Sequence, residues 1–119
     1  METRGELIYS YGVTKRRMSL QGMCRALSEN PAKLYGLFPR KGVLRPGSDA
    51  DIIVYDPGDS HVIRAEDCIA GVDYNPYEGF QTKGSIHQVY LRGTLAVENG
   101  NVLAKAGDGK FIPRGKYDL

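Results

Sequence analysis

The run Lys41-Gly-Val-Leu-Arg-Pro-Gly-Ser-Asp-Ala-Asp-Ile-Ile-Val-Tyr-Asp56 constrains the fold most. Gly42 and the pair Gly47-Ser48 are turn formers, and Ala50 to Tyr55 is a nearly continuous apolar stretch rich in β-branched side chains. A short apolar run bounded by turn residues reads as a buried strand. Four later stretches offer it partners: 61–64, 86–91, 94–98 and 101–104. Within 86–91, the set His87, Val89, Leu91 is more apolar than the set Ile86, Gln88, Tyr90. Asn99-Gly100 is a strong hairpin signal, because both central residues of a type I′ turn need positive φ. Arg92-Gly93 is expected to turn the strand at 86–91 into that at 94–98. Five short strands therefore predict one modest antiparallel sheet, whose apolar face something must cover.

The chain before the sheet reads as helical. Residues 1–18 carry Gly5, Gly12 and the patch Leu7-Ile8-Tyr9, and are expected to be irregular. Ser19 suits an N-cap. Leu20, Met23, Cys24 and Leu27 then follow at the spacing of one helical face. Gly22 weakens that helix by about 1 kcal/mol against alanine, so it needs tertiary packing. A second helix is expected to begin at Asn30-Pro31, run for about one turn to Tyr35, and stop at Gly36. Residues 66–84 lack clear periodicity. The polar tail is expected to run along a surface or reach a neighbour. The fold class predicted is α+β, helices first and strands second.

At 119 residues the chain is long enough for one domain that buries roughly two-thirds of its unfolded surface. Its net charge of +2 gives no broad basic field for nucleic acid. Lys15-Arg16-Arg17 is the one basic run, read as a solvated loop or helix entry with a phosphate or partner contact as the other reading, and it has no interleaved aromatics to stack bases. No stretch is apolar for long enough to span a membrane. Met-Glu-Thr-Arg-Gly-Glu at the start lacks the apolar core of a signal peptide. Cys24 and Cys68 do not make a disulfide framework, and two free thiols fit a reducing cytoplasm. Cys24, on the predicted apolar helix face, is expected to be a small buried hydrophobe.

Few residues suggest chemistry. His61 and His87 fall on separate predicted strands, outside any His-x-His or Cys-x-x-Cys pattern, and are read as ordinary hydrogen-bonded side chains rather than ligands. Asp49, Asp51 and Asp56 cluster round the first strand, where backbone capping is the expected role over cation binding. Gly107-Asp-Gly-Lys110 lacks the spacing of a phosphate loop, and Gly-x-Ser-x-Gly is absent. Asp73-Tyr-Asn-Pro-Tyr77 is read as a loop whose tyrosines cover the sheet, with a subunit contact as the other reading. No catalytic, cofactor-binding or metal-binding residue is assigned.

Several segments, in order, resemble the end of D-hydantoinases and dihydropyrimidinases, members of the cyclic amidohydrolases. They are Glu2-Thr-Arg4, Ser28-Glu-Asn-Pro-Ala-Lys33, Pro39-Arg-Lys-Gly42, Gly47-Ser-Asp-Ala-Asp51, Val72-Asp-Tyr-Asn-Pro-Tyr-Glu-Gly79, Arg92-Gly93, Glu98-Asn-Gly100 and Gly107-Asp-Gly-Lys-Phe111. The stretch Asp73 to Gly79 leans towards the bacterial hydantoinases.

The resemblance implies the C-terminal portion of a TIM-barrel enzyme that opens hydantoins or dihydropyrimidines with two divalent metals, usually zinc. Residues 1–41 would be the terminal helices of the barrel, 42–104 a strand-rich half of a small β-sandwich, and 105–119 an extended tail towards a neighbouring subunit. The metal ligands and the substrate-contacting asparagine would lie upstream of the matched segments. Lys33 sits in a different motif from the metal-bridging lysine. The chain is therefore expected to be a piece of such a hydrolase, inactive alone, with Met1 at an internal position of the family pattern. It would associate with itself or with the missing part of the parent. The alternative is a non-catalytic assembly module like the collapsin response mediator proteins, which share this fold.

Overall fold

Ser19 starts the longest helical stretch as expected: its hydroxyl accepts the Gly22 N–H at 3.0 Å while its own backbone stays extended. The computed structural model describes residues 2–117. Helix α2 (Leu20–Cys24) passes into a π-helical segment (Arg25–Glu29) and then into α3 (Asn30–Leu34). The expected break at Asn30 does not occur, because Glu29 and Asn30 both keep helical dihedrals. The wider π turn, in which Asn30 N–H reaches back to the Arg25 carbonyl, accommodates Pro31, whose ring would clash with the preceding turn of a regular helix. Gly36, at φ 67°, ends the helix as predicted.

The expectation of an irregular segment over 1–18 is overturned over residues 4–13 and holds over 14–18, which are turns and bends, while residue 1 lies outside the described residues. Residues Arg4–Ile8 form α1, continued by a second π-helical segment, Tyr9–Val13, where Thr14 N–H reaches the Tyr9 carbonyl. The face turned inward carries Glu6 and Ser10, four residues apart and both buried. The helical spacing is present, but polar residues occupy it, so a hydrophobic pattern could not reveal it.

Among the described residues four strands, not five, form one antiparallel sheet in the order β1 (Ile52–Asp56), β2 (Ser85–Leu91), β3 (Thr94–Glu98), β4 (Asn101–Val102). Both turns are as predicted, with Arg92-Gly93 at φ 48° and 82° and Asn99-Gly100 at φ 48° and 79°. The expected strand at 61–64 reduces to a single bridge between Val62 and Gln81 outside the sheet. Its residue Ile63 is only 2% exposed and bonds the chain at Gly79 and Phe80. The register sets Ile53 opposite Val89, Val89 opposite Val97, and Val97 opposite Val102. Directly opposed residues share a face, so one apolar row crosses all four strands. Its ends are open, with Ile53 62% and Val102 53% exposed, and its middle, Val89 and Val97, is half-buried.

The tail folds back on the chain itself, where Gly115 N–H donates to the Gly36 carbonyl at 2.7 Å.

The predicted burial is not reached. Among the described residues only Ala32 and Ile63 are buried hydrophobics. The accessible surface is 8723 Å² for a 13.1 kDa chain, against roughly 6,400 Å² for a compact monomer of that mass. The radius of gyration is 15.3 Å, against about 13.5 Å for a compact chain of this length. Leu20 and Leu34 on the helices, Tyr35 just past α3 and Ile53 on the sheet are all exposed.

Candidate functional site

A largely buried polar cluster joins the helical part to the sheet. Its centre is the strap 81–83, which leads into β2. Tyr11 Oη donates to the Gln81 carbonyl at 3.0 Å, and Tyr55 Oη donates to the Lys83 carbonyl at 2.7 Å. Ser10 Oγ, 2% exposed as a residue, accepts the Lys83 N–H at 2.8 Å. Gly84 then lets the chain pass close to β1: at φ 78°, a Cβ there would lie 2.6 Å from the Asp56 carbonyl oxygen.

Thr82, fully buried, accepts the His61 N–H at 3.1 Å, and its hydroxyl lies 3.2 Å from His61 Nδ1. On the other side of the ring, Nε2 is 3.4 Å from Glu6 Oε2. The second oxygen of Glu6 accepts the Ile86 N–H at 3.1 Å. Burial pushes the Tyr55 phenol well up from its ordinary value, and the nearby Glu6 carboxylate adds to the rise. Tyr9 packs on Tyr55 with ring centroids 4.7 Å apart.

Hydroxyl, imidazole and carboxylate stand in series here, the order of a nucleophilic triad. The geometry does not allow that chemistry. Thr82 Oγ1 is closed off from solvent, and its hydrogen bonds go to the backbone and ring of one residue. A cleft of about 430 Å³ lies elsewhere, lined by Arg64, Ala65, Glu66, Asp73, Tyr74, Asn75 and Glu78. Another, of about 600 Å³, lies between Leu34, Tyr35 and the tail at 114–117. Neither cleft is lined by Thr82, His61 or Glu6. The cluster is a clasp between segments far apart in sequence.

The other sequence candidates have separate partners. His87 Nδ1 lies 2.6 Å from Asn99 Oδ1, holding the β3–β4 turn against β2. The two histidines are thus engaged with different groups. The three aspartates take up backbone and ion-pair roles: Asp51 Oδ1 accepts the Arg92 N–H at 2.9 Å, Asp56 Oδ1 accepts the Gly58 N–H at 2.8 Å, and Asp49 pairs with Arg40 and Lys41, each at 3.0 Å. Lys41 also bonds Asp51. Lys33 is an i,i+4 helix partner of Glu29 at 2.7 Å and lies over the Phe38 ring. Among the described residues, no three or more His, Cys, Asp or Glu side chains converge to hold a metal ion. The residues present do not fit a two-metal centre.

Two expectations are corrected. Cys24 is exposed rather than buried, because nothing described packs over its side of α2. The tyrosines of 73–79 do not cover the sheet. Tyr77 stacks edge-on against Phe80, with centroids 5.7 Å apart, and Tyr74 stands 69% exposed. The loop is held instead by Asn75, which donates to Cys68 Sγ, and by Glu78, which accepts the Ala65 N–H at 2.6 Å. The clasp itself was missed. Glu6, Ser10 and Thr82 are buried polar residues without a motif, and only the i,i+4 pairing of Glu6 with Ser10 on a helix hinted at it.

Comparison with known proteins places this arrangement. The chain is 39% identical over 117 residues to a D-hydantoinase of Geobacillus stearothermophilus, a match covering 98% of the chain and 25% of that enzyme. It is 40% identical to a D-phenylhydantoinase of Escherichia coli, covering 96% of the chain and 25% of the enzyme. The structure of a dihydropyrimidinase from Brevibacillus agri superposes with a TM-score of 0.94 at 38% identity, over 98% of the chain and 25% of that enzyme. The chain thus spans about a quarter of the length of the curated relatives it matches. Residues 2–96 fit the model of the amidohydrolase family, and the chain belongs to that family.

Proposed function

We propose that the chain is the C-terminal, non-catalytic quarter of a hydrolase that cleaves the C–N bond of cyclic amides, hydantoins or dihydropyrimidines, and is inactive without the rest. The surface carries this reading. About 2,300 Å² more is exposed than on a compact monomer of this mass, and the excess includes apolar helix and sheet positions. Surplus of that size matches a large permanent interface. Residues 1–41 would close the end of a barrel, 42–104 would be one half of a β-sandwich, and 105–119 would lie along its surface towards a neighbouring subunit. The other half of the sandwich would cover the row Ile53, Val89, Val97 and Val102.

In this reading the two metals, zinc in the usual case, are held by the part of the enzyme to which this chain has no counterpart. The clasp of Glu6, His61 and Thr82 fixes the angle between barrel end and sandwich and does no chemistry. Two free cysteines suit a reducing cytoplasm, and among the described residues no helix is long and apolar enough to cross a membrane.

Co-production with the complementary three quarters of a D-hydantoinase relative tests the proposal. The expected result is a co-purifying pair that opens hydantoin. Two folded pieces that never associate would overturn it.

A further inference from the structure

We draw no further inference here: the strongest candidate, the apolar row Ile53, Val89, Val97 and Val102 across the four-stranded sheet, belongs to the assembly already proposed, and nothing in the structure shows what else covers it.

Discussion

Glu6 on α1 reaches His61 with one carboxylate oxygen, at 3.4 Å from Nε2, while its other oxygen takes the Ile86 N–H of β2 at 3.1 Å. One side chain thereby joins three segments that are distant in sequence. Replacing it with alanine leaves a half-buried backbone donor without its acceptor. Such a loss costs roughly 1–3 kcal/mol. Glu6→Gln keeps an oxygen acceptor and is expected to cost less. Urea unfolding of the two variants checks the order, and equal costs would mean that the Ile86 bond is not what stabilises the joint.

Thr82→Val removes the acceptor of the His61 N–H in a fully buried position. A cost of roughly 1–3 kcal/mol is expected for the unsatisfied group. His61→Gln should cost less, since the ring is partly exposed and its contact with Glu6 is worth at most about 1 kcal/mol. A double-mutant cycle between Glu6 and His61 measures that coupling directly.

Gly42 sits at φ 85°, and a Cβ there would lie 2.6 Å from the Ala32 Cβ and 2.8 Å from the Ser28 carbonyl oxygen. Both backbone strain and collision oppose any side chain. Gly42→Ala is expected to destabilise by roughly 1–3 kcal/mol. Gly47→Ala, at φ 90° but with open space around it, carries the strain alone. Thermal unfolding should rank Gly42→Ala below Gly47→Ala.

The acid limb of stability follows from three carboxylates. The Ser85 hydroxyl lowers Asp59, the Lys41 ammonium lowers Asp49, and Lys33 lowers Glu29. A depressed carboxylate contributes stability above its unfolded value, lost as pH falls through the folded value. The loss therefore sets in below the ordinary values of 3.8 for the aspartates and 4.5 for Glu29. For Lys41, burial lowers the ammonium, but its bonds to Asp51 and Asp49 outweigh this and raise it. That contribution is full below 10.5 and fades at higher pH. Asp49→Asn should flatten both limbs in a pH series of unfolding midpoints.

An open apolar row predicts association. The isolated chain is expected to self-associate with rising concentration, and Ile53→Lys with Val97→Lys should weaken this. Sedimentation velocity would read the change. A wild-type chain that stays monomeric at high concentration would contradict the open-face account.

The sequence made the sheet legible where local chemistry decides. Asn99-Gly100 takes the positive φ its type suggested, Arg92-Gly93 turns β2 into β3 as read, and Ile52 to Tyr55 form the strand their β-branching implied. Ser19 and Gly36 bound a helix as read, but Pro31 did not break it, since a π turn absorbed the clash. Residues 4–13 escaped notice because Glu6 and Ser10, not apolar side chains, occupy their buried face. The chain's low burial was equally invisible, because composition alone does not say which apolar residues find partners. The family was readable from dispersed short motifs, whereas the clasp depends on contacts between residues as far apart as Glu6 and Ile86.

The most direct test is metal content together with cyclic-amide hydrolysis on the purified 119-residue chain, with and without added zinc. The account predicts no stoichiometric metal and no turnover of hydantoin or dihydrouracil. Bound metal with ring opening would contradict it, and would mean that His61, His87 and the aspartates build a centre that their separate hydrogen bonds argue against.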